Sequence, residues 1–295
     1  MNRTFTNGKY FKSISLPMLW PLAVGLALSI AGPAKAAIFK VDSLAADFEW
    51  ILHDDSVDDS ISANDVGGTQ YEIYSTALQI NNNWLVMGIR SEASLSGVPE
   101  DLARDKLVRF SDVVLKCIEI ISNSFSEYAI AFDPDNQNGV DSVGLYADPV
   151  LTDVAVDNGN LLGGFGDYVE YVTADGGTPT TGTLDDSGFD RATHVPSILS
   201  SGNLIGDVQL LTDTEIEELN LEAVFAGKPG VTTAFATDIT ALQATGKQCS
   251  YYVTFECNND FAGGTFLVEK PQPVPEPSSM LAFAMFGTLI RRFRY

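Results

Sequence analysis

The chain has 295 residues, 45% of them apolar, and sets 17 Lys/Arg against 39 Asp/Glu for a formal net charge of −22. An apolar share of this size excludes wholesale disorder, and the acidic balance excludes nucleic acid as an expected partner, because a polyanion is bound by clustered Lys/Arg. Four of the basic residues fall in residues 1–36 and three after residue 290, so ten remain between; that surplus of acid fits solubility outside the cell or a surface that attracts cations.

In chain order, Arg3, Lys9 and Lys12 form a basic segment without an acid, followed by an apolar stretch from Leu16 to Ile30 and the small-x-small triplet Ala34-Lys35-Ala36. This order predicts a secretory signal peptide over residues 1–36, cut by signal peptidase between Ala36 and Ala37. A permanent N-terminal anchor is disfavoured, since the stretch contains Pro17, Pro21 and Gly25 and falls short of about 20 apolar residues. Residues 37–270 then suit one exported domain, of a size common among all-β folds.

Within that domain, residues 42–70 read as loop and short strand. Asp54, Asp55, Asp58 and Asp59 read there as a solvated acidic loop, with cation binding as the sharper alternative. Tyr71 to Ile80 predicts a strand, Asn81-Asn82-Asn83 a turn and Trp84 to Ile89 the return strand. Residues 111–122 suit a buried helix or a strand, and their β-branched content favours strand. Tyr128 to Phe132 and Val143 to Tyr146 are further short strands. Gly163-Gly164-Phe165-Gly166 has neither the Lys-Ser/Thr of a P-loop nor dinucleotide-binding spacing and predicts a turn or bulge. Asp175 to Gly182 is a loop, and Asp213 to Asn220 suits a short helix capped by Thr212 or Asp213. Val231 to Phe235 and Ser250 to Phe255 complete the strands. Many short strands between turn signals predict a mainly β domain, a β-sandwich or jelly-roll-like fold with one or two short helices. Pro271, Pro273, Pro275 and Pro277 make residues 271–279 a stiff spacer, and residues 280–295 hold a hydrophobic segment and a basic stop.

Three cysteines, Cys117, Cys249 and Cys257, lie in the exported region, where disulfides persist. A continuous strand over Ser250 to Glu256 would hold Cys249 and Cys257 about 26 Å apart, whereas a bridge needs Cα atoms roughly 4.4–6.8 Å apart. Cys117 is therefore expected to pair with one of the two and leave one free thiol. Their spacing shows no zinc pattern.

The sharpest candidate for chemistry is Asp133-Pro134-Asp135-Asn136-Gln137-Asn138-Gly139-Val140-Asp141. Alternating acids and amides are what an oxygen-preferring Ca²⁺ takes, which makes Asp133, Asp135, Asn138 and Asp141 candidate ligands and Ca²⁺ the candidate cofactor. The spacing misses the EF-hand loop: glycine comes one place late, and Gly144 stands where the bidentate Glu belongs. An Asx-rich turn is the alternative. His53 and His194, the two histidines, lack a nucleophile elbow beside them. No carboxylate pair at the spacing of a glycosidase, about 5–9.5 Å, can be picked out, and no catalytic activity is expected.

The segment Val274 to Tyr295 runs Val-Pro-Glu-Pro-Ser-Ser, then apolar from Met280 to Ile290, then Arg291-Arg292-Phe293-Arg294-Tyr295. It resembles the PEP-CTERM tail that bacterial exosortases process. The resemblance implies that Pro275, Glu276 and Pro277 are the sorting motif, that the chain is the exosortase's substrate, and that Arg291, Arg292 and Arg294 form a stop held on the cytoplasmic side. The 11 residues from Met280 to Ile290 rise only about 16 Å as a helix, against a hydrocarbon core of about 30 Å, which suits transient membrane attachment. The body is similar to exosortase-dependent surface proteins, many of them cyanobacterial, in Gly67 to Tyr74, Asn136 to Tyr146, Asn203 to Val208 and Phe255 to Asp260. The expectation is an exported surface or extracellular-matrix protein that passes through an inner-membrane intermediate, with exopolysaccharide as a candidate partner. The alternatives are a carbohydrate-binding β-sandwich, with or without calcium, and a secreted hydrolase.

Overall fold

The computed structural model describes residues 39–41, 49–62, 65–160, 162–180, 184 and 190–270, all in the second of the chain's two units, Ala37–Tyr295. The expected signal peptide with its Ala36/Ala37 junction, the motif Pro275-Glu276-Pro277 and the stop Arg291, Arg292, Arg294 lie outside the described residues. Among the described residues, no helix is long and apolar enough to cross a membrane.

The first half of the domain is laid out by hairpins. Strand β1 (Ile51–Asp54) and the two-residue bridges β2 (Ile61–Ser62) and β3 (Asp65–Val66) lead into β4 (Ile73–Asn81) and β5 (Trp84–Ser91). Asn81 pairs with Trp84 across the β4–β5 ladder, so Asn82 and Asn83 form a two-residue loop. Asn82 takes φ of 52°, a left-handed conformation that asparagine tolerates better than most residues. The bridges β6 (Val98–Pro99) and β7 (Leu107–Val108) precede β8 (Val113–Glu119), β9 (Phe125–Ala131) and β10 (Gly144–Thr152). Helix α1 (Phe165–Ala174) leads to β11 (Ile198–Gly206) and β12 (Val208–Leu210). Helices α2 (Asp213–Glu218) and α3 (Leu221–Val224), strand β13 (Val231–Asp238), helix α4 (Thr240–Gln243), and strands β14 (Lys247–Thr254) and β15 (Phe261–Val268) follow.

Two antiparallel sheets result, one ordered β1-β4-β5-β13-β12 and the other β11-β10-β9-β8-β14-β15. They share one apolar core: Leu78, Met87, Ile89 and Phe235 of the first sheet meet Leu115, Ile130, Tyr251, Val253 and Phe266 of the second. Phe235 stacks on Phe132, with ring centroids 4.6 Å apart; burying one such side chain contributes about 1.5–3 kcal/mol. The architecture is mainly β and consistent with a β-sandwich.

Helices cover the outer faces. Ile216, Leu221 and Phe225 lie over Ala77, Val86, Ala234 and Ala236 of the first sheet, and Phe165, Tyr168 and Val172 lie over Val114, Tyr252 and Phe261 of the second. Burial on both faces leaves β4 and β5 buried almost throughout, the polar Ser75, Thr76 and Gln79 included, in place of the alternation of a half-exposed strand. Small residues admit the helices: a Cβ on Gly88 would stand 3.2 Å from Leu221 and Phe225 side-chain carbons.

Four α-helices form among the described residues, where one or two were expected. The expected helix at Asp213 is present, with Thr212 and Glu215 in a reciprocal capping box. Helix α1 was masked by the glycines around it, which read as a turn. Gly164 is its N-cap, where a Cβ would come within 2.9 Å of the Ala192–Thr193 backbone. The glycines admit a neighbouring chain and do not end the helix. Helices α3 and α4 have four residues each, too few to show a periodic pattern.

Cys117 and Cys249 face each other across β8 and β14 and are joined by a disulfide; the sequence separation is 132. A bridge closing so long a loop stabilises a fold by about 2–4 kcal/mol. Cys257, beyond the far end of β14, is a buried free thiol.

Candidate functional site

The acidic run after β1 is not uniformly solvated. Asp54 and Asp58 are exposed, whereas Asp55 and Asp59 are buried. Backbone bonds at both ends set this alternation: Asp55 N–H donates to Tyr74 O at 3.1 Å, and Ile61 N–H donates to Asn259 O at 2.8 Å. The segment is thereby held against both sheets, and Asp55 and Asp59 turn inward. The outward pair finds ordinary surface partners, with Asp54 beside Lys228 Nζ at 3.1 Å and Asp58 accepting from Thr178 N–H at 3.2 Å.

Inside, Asp55 and Asp59 meet Asp260, and one carboxylate oxygen from each lies within 4.8 Å of the others. Glu72, fully buried, is a close electrostatic neighbour of the group. Asp260 directly precedes β15 and Glu72 stands one residue from β4, so the two sheets each deliver an acid to this edge. Protein donors orient the group. Asp55 Oδ1 accepts from Ser56 N–H at 3.0 Å. Asp59 Oδ2 accepts from the Tyr168 hydroxyl of α1 at 3.1 Å and from Thr180 N–H at 2.5 Å. Glu72 Oε2 accepts from Ser60 Oγ and Gly68 N–H, both at 2.6 Å. Asp260 Oδ2 accepts from Ile73 N–H at 2.6 Å, and its Oδ1 from Phe261 N–H at 2.7 Å.

Three buried oxygens are left over: Asp55 Oδ2, Asp59 Oδ1 and Glu72 Oε1 have no donor. An unmet buried polar atom costs about 1–3 kcal/mol, and more when charged. Among the described residues no Lys or Arg forms an ion pair with any of the four acids. Burial, then repulsion from Asp59, holds the Asp55 carboxyl well above the usual range. Burial pushes Asp59 up to about 7 and also raises Glu72. Asp260 is raised by burial and then by Asp55, Asp59 and Glu72. Chemically the three aspartates could hold a hard, oxygen-preferring cation. An open polar depression of about 700 Å³ adjoins them, walled by Gly67, Gly68, Thr69 and Gln70; none of the residues lining it is aromatic.

The candidate ligands at 133–141 are arranged differently. Asp133 is buried and its Oδ2 has no donor, while Asp135 and Asp141 are exposed. Asp133 Oδ1 accepts from Asp135 N–H at 2.9 Å, and Asn136 Oδ1 accepts from Asn138 N–H at 3.1 Å. These are consecutive Asx turns, and among the described residues the acids that gather closely are Asp55, Asp59 and Asp260. The turn is docked on two acids that the sequence did not single out. Asp112 Oδ1 accepts from Asn136 Nδ2 at 3.0 Å and its Oδ2 from Leu199 N–H at 2.6 Å. Glu256 Oε1 accepts from Gln137 N–H at 2.7 Å and its Oε2 from Arg109 N–H at 3.0 Å. Burial pushes Asp112 and Glu256 each up to about 7, and Asp133 to about 6.

Both histidines have structural partners. His194 Nε2 bonds Leu162 O at 2.9 Å and its Nδ1 lies 3.2 Å from Asp153 Oδ2. His53 Nε2 bonds Thr265 O at 3.1 Å and its ring packs edge-on against Tyr251 at 5.8 Å. The chain matches no protein-family model, no curated protein sequence and no solved structure.

Proposed function

We propose that this protein is an exported, non-catalytic surface or extracellular-matrix protein, cleaved by signal peptidase and sorted as an exosortase substrate. The observation that carries the reading is the buried Cys117–Cys249 bridge. It favours an oxidising compartment, in a chain whose two ends carry the leader-like and PEP-CTERM-like segments. In this reading the domain is a β-sandwich in which β8 to β11 form a meander and β14 returns from the other sheet to lie beside β8, the spatial order of a Greek key.

Mass spectrometry of the protein from a host that makes an exosortase tests this. The expected product begins at Ala37 and has lost the residues after the Pro275-Glu276-Pro277 motif; replacing that motif with alanines should keep the tail attached. Recovery of the protein solely from the cytoplasm, with residues 1–36 still present, would overturn the reading.

A further inference from the structure

The edge of the domain where β4 and β15 begin holds four acids from three separated stretches of chain. Asp55, Asp59 and Glu72 are at most 7% exposed, and each keeps one oxygen on protein donors while the other has none. A metal site with outer-shell support has this signature: the donors fix the carboxylate and the free oxygen faces the ion. The spacing agrees. Oxygens on opposite sides of one Ca²⁺ stand about 4.6–5.2 Å apart, twice the usual bond length, and the three aspartate oxygens lie within 4.8 Å of one another. Zinc would favour Cys or His, and Mg²⁺ would keep several waters, whereas Ca²⁺ accepts a cage built wholly of protein oxygens.

We propose that Asp55, Asp59 and Asp260 bind one Ca²⁺, with Glu72 as their acidic neighbour; the ion ties β4 to β15 and secures the 55–62 segment and helix α1 against them. The ion supplies the positive charge missing among the described neighbours. Tyr168 and Thr180, which hold Asp59, couple α1 and the chain beyond it to the same point. The inference does not depend on the sorting route, because the purified chain binds calcium or fails to, wherever the cell sends it.

The full-length chain, stripped with EGTA, dialysed and titrated with CaCl₂ at neutral pH, is expected to bind one Ca²⁺ and to melt at a higher temperature with calcium than in EGTA. Wild-type protein that takes up no calcium and melts identically in both overturns the proposal. Asp59→Asn keeps the oxygen that accepts from Tyr168 and Thr180 but replaces the free one, and should weaken binding by at least about 10–100-fold, the loss that outer-shell changes alone produce. Asp133→Asn should leave binding unchanged; the reverse pattern assigns the ion to the 133–141 turn and refutes the three-aspartate site. Should Asp59→Asn not fold, Tyr168→Phe retains all four acids. Tb³⁺ at the site should show tyrosine-sensitised emission that calcium displaces and Tyr168→Phe reduces. Emission that calcium does not displace would place the ion elsewhere.

Discussion

Around Asp112 and Glu256 each of the four carboxylate oxygens meets a nitrogen donor, and Arg109 lowers the pKa of Glu256. Around Asp55, Asp59 and Glu72 three oxygens meet none, and the charged neighbours of all three are acids. Both clusters are dry and both raise the pKa of their carboxyls. The contrast is one of donor supply: in the first region only Asp133 Oδ2, with Arg109 as a charged neighbour, is left without a donor, whereas the second leaves three oxygens unmet among acids. The first cluster clips a turn to the sheet, and the second has acceptors in reserve.

Three substitutions or titrations would test that contrast. The largest effect is expected at Asp112→Ala, which leaves Leu199 N–H without its acceptor and Asn136 Nδ2 with only Phe110 O. Each lost partner costs about 1–3 kcal/mol, so urea unfolding should show a loss of about 3–4 kcal/mol; a loss under about 1 kcal/mol would mean that Asp112 is not the clip described.

A pH series should give the next largest effect. Burial holds Asp112 and Glu256 near 7 in the folded chain, against about 4 when unfolded. In that window the folded state keeps protons that the unfolded chain has lost. Their stability contribution is full below about pH 4 and disappears as pH climbs through about 7. With calcium saturating, wild type should lose on the order of a few kcal/mol across that range, and its stability relative to Asp112→Asn should fall as pH rises. Wild type gaining on Asp112→Asn as pH rises contradicts the sign.

The smallest effect reverses direction at the other cluster. Asp55→Asn keeps the oxygen that accepts from Ser56 N–H and exchanges an unmet oxygen for a donor facing other carboxylates. In EGTA it should stabilise the chain by about 1 kcal/mol, while abolishing the gain from calcium. Destabilisation in EGTA would show that the Asp55 oxygen already had a partner.

Much of this fold was legible from local pattern. The Asn81-Asn82-Asn83 turn located the β4–β5 hairpin, the acids from Asp213 onward with a Thr212 or Asp213 cap located α2, and strand length restricted the cysteine pairing to Cys117 with Cys249 or Cys257. The less legible elements were those whose residues serve a distant partner. The Gly163-Gly164-Phe165-Gly166 run reads as a turn because its glycines admit the backbone at 191–193, far along the chain. Strand β15 carries Gly263 and Gly264, where a Cβ would collide with Tyr251 O and the His53 ring; the same glycines weakened its strand signal.

The candidate site marks the boundary most plainly. Residue order alone specifies where turns fall, which faces are apolar, how acidic the body is and what sorting-like segments flank it, because each of these depends on neighbours a few positions away. Asp54, Asp55, Asp58 and Asp59 are chemically one acidic run at that level. Which of them lose their water depends on Tyr74, Asn259 and Asp260, brought up by strand pairing across as many as about 200 residues. Desolvation and the supply of donors are set by surroundings in space, so the pair that turned inward and the oxygens left without donors emerge only once the sheets have closed over them.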